Sequence, residues 1–487
     1  MNDCVKENVL KPRVLIYGAG VGGQELLQHL YNKGEYLPVA FVDDDKALHG
    51  QQMMGVPIYD PGHIGHLIDE YQIGTIIVAI PSLKELRKHE IYGVLEQFEL
   101  QILTLPNLTD ILLGRASTAQ TSMISPEYLL DRPSVEPIWT LLQKNVTAKT
   151  VLITGGGGSI GSELARQVVK LNPKKLIILD VSEYALYGIE HELSVLSKAP
   201  IVPMIGSVLD EIKLQQIFKE HQVDTVYHAA AYKHVPIVEK NPFVGVVNNF
   251  IGTANCVKQA VKFGVENFVL ISTDKAVRPT NVMGASKRLS ELICQAMAEV
   301  QSKTTICMVR FGNVLGSSGS VIPLFTKQLQ QGGPVTVTHP DITRYFMTIP
   351  EAAQLVIQAG AMATGGDVFL LDMGSPVKID DLAKRMIRLC GFQLKSEKHP
   401  TGIEICYTGL RAGEKLYEEL LISGENLEAT AHSKIIKAHE NKFSLDELLC
   451  LQQGVVDAYT KNDVAWLLNQ LVYFVDGYKQ SDFVKNI

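Results

Sequence analysis

The sequence predicts an α/β protein made of two Rossmann-like, doubly wound parallel-sheet domains. The second is expected to carry a smaller substrate-binding half and a helical C-terminal tail. Three observations predict this. A glycine-rich turn follows an apolar run twice, at Gly18-x-Gly20-x-x-Gly23 and at Gly155, Gly158 and Gly161. The apolar runs are short and nearly continuous, as in strands buried on both faces of a parallel sheet. Helical stretches alternate with them, the pattern of repeated βαβ units.

Along the chain, the first domain is expected over residues 1–106. Its strand runs lie at Arg13–Tyr17, 39–42, 75–80 and 101–105, with a helix from the glycine turn to about Tyr31. Residues 107–148 hold several prolines and no sustained periodicity, and read as a linker. Structureless connections beyond about 12–15 residues are uncommon, so a short helix is expected around 126–130. The second domain is expected over 149–425, with strands at 151–155, 175–180, 225–230, 267–273 and 305–312. After Gly312 the pattern loosens into Gly/Ser/Pro-rich segments, where such folds place a substrate-binding half. Residues 426–487 read as a mostly helical tail.

Composition removes several function classes. The chain has 487 residues, 46% hydrophobic and 20% charged, which suits packed domains and argues against disorder. A net charge of −7 leaves no basic footprint for nucleic acid. No apolar run nears the roughly 18–20 residues of a membrane helix, and the N-terminus lacks the apolar core of a signal peptide. Seven scattered cysteines show neither CxxC nor Cys/His spacing, which reads as reduced thiols with no metal site.

The turn T-G-G-G-G-S-I-G places Gly155, Gly158 and Gly161 between strand and helix, with Ser159 and Ile160 opening the helix. Small residues there let backbone approach a pyrophosphate, and the helix N-terminus offers free N–H groups. Asp180 closes the next strand, 19 residues beyond Gly161. Its carboxylate suits a ribose 2′-hydroxyl and repels a 2′-phosphate, favouring NAD over NADP. The first turn, with Asp43 twenty residues beyond Gly23, has the same form. Nothing catalytic follows it, so a scaffold or regulatory Rossmann-like domain, one holding a nucleotide-sugar, is the leading expectation there, with a dinucleotide site as the other reading.

The stretch STDKAVRPTNVMGASKRLSE, 272–291, begins where the NFVLIST strand ends, the edge at which open α/β sheets bind ligands. Met283 and Lys287 are four apart on an expected helix and share a face. This resembles the short-chain dehydrogenase/reductase superfamily, in which the helix carries Tyr-x-x-x-Lys and a Ser or Thr ends the preceding strand. Thr273 and Lys287 match, but Met283 stands at the tyrosine position, and a thioether takes no proton. Thr273-Asp274-Lys275 with Met283 and Lys287 resembles the nucleotide-sugar 4,6-dehydratases of bacterial polysaccharide and glycan biosynthesis, in particular the large UDP-N-acetylglucosamine 4,6-dehydratases. The resemblance extends through HAAAYKHVPIVE (228–239), NNFIGTANC (248–256), RFGNVLGSSGSVIPLF (310–325), DITRYFMT (341–348) and GLRAGEKLYEEL (409–420). It covers 150–425 densely and the first domain loosely.

The resemblance implies an NAD-dependent reaction in which C4 of a UDP-N-acetylhexosamine is oxidised, water leaves across C5–C6 and the hydride returns to C6. It implies Asp274 as the acid for the departing hydroxyl, Lys275 as the C5 base, Thr273 as a partner of O4 and Lys287 as a ligand of the nicotinamide ribose. A lysine base must lose its proton, so burial or cations such as Lys287 are expected to lower the Lys275 pKa. Successive strand residues point to opposite faces, so the chain must leave strand geometry at Thr273 for Asp274 and Lys275 to reach one ring. Gly206, Ser207 and Val208 are expected to flank the adenine. Ala229, Ala230 and Ala231 either narrow the cofactor channel or simply pack. Tyr232 or Lys233 faces the sugar, Asn313 binds substrate, Arg344 and Arg411 suit the UDP phosphates, and Glu414 suits the uridine ribose. For the last three a structural ion pair is the other reading, and His228 and His234 are read as structural. With Met283 in place, retention at C5 is expected. So are a homo-oligomer, an association with membrane glycan machinery, and a cytoplasmic location, or an inner-membrane one through an anchor outside this chain. The competing readings are a nucleotide-sugar C4 epimerase and a catalytically silent NAD- or nucleotide-sugar-binding protein.

Overall fold

A computed structural model describes residues 11–80, 85–98, 100–105, 122–123, 136–301, 303–397, 399–419 and 427–480. The expected helix around 126–130 lies outside the described residues. The chain divides into two compact units, each an α/β structure.

The first unit contains residues 1–133 with two later segments, 324–337 and 380–406. Its seven-stranded sheet comprises β1 (Arg13–Tyr17), β2 (Leu37–Val42), β3 (Gln52–Met53), β4 (Val56–Tyr59), β5 (Thr75–Val78), β6 (Gln101–Thr104) and β7 (Ser122–Met123), in the order β3-β4-β2-β1-β5-β6-β7. The four pairings from β4 to β6 are parallel, and β3 and β7 add antiparallel edges. Val14, Leu15, Ile16 and Ile76 are sealed from solvent, as strands covered on both faces require. Gly23 opens the helix Val21–Lys33 where a Cβ would lie 2.1 Å from the Gly18 carbonyl oxygen. Asp43 accepts from Ala19 N at 2.6 Å and so braces the glycine turn itself. The later segments contribute much of the helix Ile379–Leu389, whose Arg385 pairs with Glu96 at 2.8 Å.

The second unit is built on a nine-stranded sheet. Its first six strands are β8 (Thr150–Thr154), β9 (Lys175–Asp180), β10 (Ile201–Ile205), β11 (Thr225–His228), β12 (Asn267–Ile271) and β13 (Thr305–Arg310). Short strands follow along the chain: β14 (Asn313–Val314), β15 (Val335–Val337), which groups with the first unit, β16 (Thr343–Arg344) and β17 (Phe346–Met347). The chain then adds β18 (Asp367–Leu371), β19 (Val377–Lys378), β20 (Ile405–Tyr407), of which residues 405–406 group with the first unit, β21 (Leu427–Ala429) and β22 (Ile435–Ala438). The large sheet runs β10-β9-β8-β11-β12-β13-β18-β22-β21. It is parallel through β18 and antiparallel beyond. The order reverses between β8 and β11, which opens a crevice at their carboxyl ends. β14 pairs with β17 and β16 with β19, carrying Asn313 and Arg344.

Two expectations change. Part of the stretch read as linker is ordered: the helix Trp139–Lys144 belongs to the second unit, and Asn145 donates to the Gly360 carbonyl at 3.0 Å. The tail is not helical throughout, because β21 and β22 extend the sheet before the helices Leu445–Lys461 and Val464–Phe474. A capping box, Ser444 with Glu447, starts the first of these. Together they bury Leu448, Leu451, Leu467 and Leu471 against Val282, Leu289 and Leu292 of the helix Val282–Glu299. Among the described residues no helix is long and apolar enough to cross a membrane.

Candidate functional site

The site begins where β12 stops. Ser272 and Thr273 follow it, and Thr273 Oγ1 accepts from Lys275 N, turning the chain into a single 3-10 turn over Asp274–Ala276. This is the departure from strand geometry that the Asp274–Lys275 pair required. Both side chains now meet: Lys275 Nζ lies 3.0 Å from Asp274 Oδ1, which also accepts from Thr273 Oγ1 at 2.9 Å. Asp274 is 3% exposed, and its Oδ2 has no hydrogen-bond partner among the described residues. A buried oxygen left free in this way costs stability unless a ligand or water supplies a partner.

Lys275 has two further acceptors. Asn313 Oδ1 stands at 3.1 Å and Glu418 Oε1 at 3.4 Å. Burial alone would push the lysine down, yet Asp274 and Glu418 outweigh both burial and Arg344, and its pKa is raised. The expected depression by Lys287 is therefore not found. The physical reason is that two carboxylates face the ammonium, and among the described residues no second lysine does.

The helix Val282–Glu299 is capped by Asn281, whose Oδ1 accepts from Gly284 N at 2.8 Å. Asn281 Nδ2 donates to the Gly413 carbonyl at 3.1 Å, tying the 409–419 loop to the start of this helix. Met283 is 3% exposed and packs in the apolar cluster shared with the C-terminal helices. Lys287 is 5% exposed, and its ammonium donates to no described residue. Burial is the main cause that lowers its pKa to about 8, against the opposing pull of Glu291 and Cys294. His228 is fully buried between Thr154 at 2.7 Å and Thr253 at 3.0 Å. Burial, helped by Lys287, lowers its pKa to about 3, so it is a neutral structural histidine. The loop after β11 is fixed by Asn249, which accepts from Tyr232 N at 2.8 Å and donates to Tyr232 O at 3.0 Å.

The glycine turn fits a dinucleotide. Gly155, at φ +66°, lies so close to the 229–230 backbone that a Cβ would come within 2.7 Å of Ala230 N. A Cβ on Gly161 would lie 2.1 Å from Gly155 O. Gly158 is the N-cap of the helix Ser159–Lys170 and leaves that N-terminus without a side-chain cap. Ser159 and Ile160 are half-buried in the first turn, and Ser159 Oγ accepts from Ser318 N at 3.2 Å. Asp180 accepts from Gly157 N and Ser182 N, both at 2.8 Å, which leaves further lone pairs for a ribose hydroxyl. Ser207 Oγ accepts from Leu209 N at 3.1 Å, Val208 is buried, and Ala229, Ala230 and Ala231 are half-buried at the strand end. An uncapped helix start, a buried donor at Lys287 and an orphaned carboxylate oxygen at Asp274 are together what a bound dinucleotide and its substrate would satisfy.

The remaining substrate candidates divide. Arg344 is 8% exposed and pairs with Glu414 at 3.2 Å, with Glu418 at 3.7 Å. Two residues assigned to different parts of UDP thus hold each other. Arg411 is exposed, its backbone N–H donating to Glu414 Oε2 at 3.1 Å. Lys233 lies on the loop after β11, and burial lowers its pKa. Sequence reasoning missed Glu418 as a partner of Lys275. It also missed a buried quartet behind the turn, in which Arg310 and Arg288 bind Glu291 and Glu440, and Ser272 Oγ donates to Glu291 at 2.6 Å. The GEKLYEEL motif marks the segment that holds Glu418, but only the fold shows what it faces. Among the described residues no cluster of three or more His, Cys, Asp or Glu is placed to hold a metal ion.

Residues 151–440 match a family described as polysaccharide biosynthesis protein, and residues 10–95 match one described as C2185-like, N-terminal. The chain is 43% identical over 471 residues to the capsular polysaccharide biosynthesis protein CapD of Staphylococcus aureus, covering 95% of this chain and 77% of that one. It is 45% identical over 425 residues to the probable polysaccharide biosynthesis protein EpsC of Bacillus subtilis, covering 86% and 70%. Among solved structures, Pen from Bacillus thuringiensis is similar with a TM-score of 0.55 and 32% identity, over 64% of this chain and 98% of that one. With one family matching more than half of the chain and a relative alike over nearly all of it, the chain belongs to the polysaccharide biosynthesis protein family.

Proposed function

We propose that the chain catalyses NAD-dependent 4,6-dehydration of UDP-N-acetylglucosamine, with retention at C5, to supply a 4-keto-6-deoxy sugar nucleotide for polysaccharide assembly. The observation that carries this reading is the Asp274–Lys275 pair at the carboxyl end of β12, the carboxylate buried and the lysine half-buried. Elimination across C5–C6 needs one group to give a proton and another to take one, and C4 epimerisation needs no such pair.

NAD, when bound, would take the C4 hydride and return it to C6. The chain's own residues handle protons. In the resting pair one proton lies between Asp274 and Lys275, across 3.0 Å. Its transfer from ammonium to carboxylate leaves a carboxylic acid beside a neutral amine, the two forms the elimination uses. The carboxyl group then turns to carry that proton on the oxygen without a partner, Oδ2, and gives it to the departing C6 hydroxyl. Lys275 Nζ takes the C5 proton and gives it back on the same face, which retains the configuration. Thr273 Oγ1 orients O4, whose proton passes to solvent as C4 is oxidised and is regained by the Asp274–Lys275 pair at the end of the cycle, and Asn313 holds Nζ in reach. The Gly155–Gly161 turn, Asp180 and Lys287 would hold the dinucleotide, with Arg411 and Arg344 on the diphosphate.

The test is incubation of the protein with NAD and UDP-N-acetylglucosamine, followed by mass spectrometry of the nucleotide sugars. A product lighter by one water is expected. An unchanged mass would overturn the reading, and epimerised product of the same mass would favour the epimerase.

A further inference from the structure

Resting on that reading, we infer that Glu418 is a positioning residue that couples the diphosphate-binding arginine, Arg344, to the proton-carrying lysine, Lys275. Its side chain is 4% exposed, and one oxygen, Oε1, serves both cations, Lys275 Nζ at 3.4 Å and Arg344 Nε at 3.7 Å. A carboxylate this buried needs positive partners to be kept ionised. It has two, and they come from the two halves of the expected chemistry. The groups facing Lys275 are Asp274 on its own turn, Asn313 on β14, Arg344 on β16 and Glu418 on the 409–419 loop. Arg344 is itself divided among Glu414, Glu418 and the carbonyls of Thr343 and Leu416. A diphosphate that engages Arg344 competes with Glu418 for the guanidinium. Glu418 is then left to Lys275, where it steadies the ammonium formed once the C5 proton has been taken. Substrate binding at one end is in this way felt as charge at the other, with no bond made or broken by Glu418.

The experiment uses Glu418→Gln, which keeps shape and hydrogen bonding but removes the charge, with Glu418→Asp as the conservative control. The titration of Lys275 is read by pH-dependent acetylation with a small anhydride and mass spectrometry of the peptide that contains it. Because a neighbouring opposite charge moves a titration by about 1–3 units, Lys275 in the Gln variant is expected to label at a pH lower by about one unit or more. The Asp variant should stay near the parent. Adding UDP should raise the labelling pH in the parent and do so far less in the Gln variant. In turnover, kcat of the Gln variant should fall by about 10–100-fold with KM changed much less. A Gln variant in which Lys275 titrates as in the parent overturns the inference, and so does a parent whose Lys275 ignores UDP. A parent that shows both shifts yet releases no water from the sugar would instead overturn the dehydratase reading, leaving Glu418's control of Lys275 standing.

Discussion

Asp274 and Lys275 are adjacent in sequence, and the single turn beginning at Thr273 is what lets them act on one bond. Asp274→Asn removes the transferable proton and Lys275→Ala removes its acceptor. Each is expected to lower dehydration by about 10²–10⁴-fold, with NAD affinity near that of the parent, as quench of protein fluorescence would show. A variant with parental turnover would remove that residue from the chemistry. Lys287 supplies a second, pH-dependent prediction. Its buried ammonium loses its proton near pH 8 in the free protein. Binding that uses the charged donor must recapture that proton, so NAD affinity should be flat below about pH 8 and fall above it. Lys287→Met should bind more weakly at neutral pH and show no such slope, and a parent with equal affinity on both sides of that pH would contradict the role. These residues are legible because the chemistry is local: Thr273, Asp274, Lys275 and Lys287 lie within one strand end and the next helix. Glu418 is not legible, since its meaning lies in a charge brought to Lys275 from far along the chain. The upward direction of the Lys275 pKa is hidden from the sequence for the same reason.

At the level of elements, the glycines of the second turn do different work, and the spacing pattern treats them alike. Gly161 is locked by backbone, since a Cβ there would sit 2.1 Å from Gly155 O. At Gly158 the nearest atom to a Cβ is the same oxygen at 3.2 Å, and the backbone, at φ −73° and ψ 170°, is one any residue can adopt. Gly161→Ala must therefore push strand and helix apart, at a cost of at least about 1–3 kcal/mol, and should lose NAD binding and lower the melting temperature together. Gly158→Ala should melt close to the parent and weaken only the cofactor. Equal melting of the two variants would refute this division of roles. Strands such as β8, β9 and β12 are legible because burial on both faces leaves an uninterrupted apolar run. β21 and β22 are not, because three exposed residues and four mostly half-buried ones are too few to carry a period. The C-terminal helices show their apolar stripes in the sequence, but not that the stripes cover the helix bearing Met283 and Lys287.

On the scale of the whole molecule, sequence order and spatial grouping part company: residues 324–337 and 380–406 group with the first unit although they interrupt the second. Composition shifts mark neither excursion, because both are ordinary mixtures of helix, short strand and loop. The second unit is in turn held by charges that no periodicity reveals. Arg310 at the end of β13, Glu291 and Arg288 on the helix Val282–Glu299, and Glu440 just after β22 form one buried quartet. Burial works against an ionised Glu291, but Arg310 and Arg288 with the Ser272 hydroxyl overcome it and bring its pKa down to about 2. Unfolded, the same group titrates near the usual value of about 4.3. Its contribution to stability is thus fully present above that value and is lost as pH falls towards about 2. Glu291→Gln leaves two arginines with one carboxylate and should destabilise the second unit by about 3–5 kcal/mol at neutral pH. It should also flatten the acid dependence between about pH 4 and about pH 2. Trp139 and Trp466 are the only tryptophans and both lie in the second unit, so urea unfolding followed by their fluorescence reads this unit alone. A Gln variant that unfolds at the parent's urea concentration, or keeps the parent's acid slope, would show that the quartet does not carry the stability assigned to it.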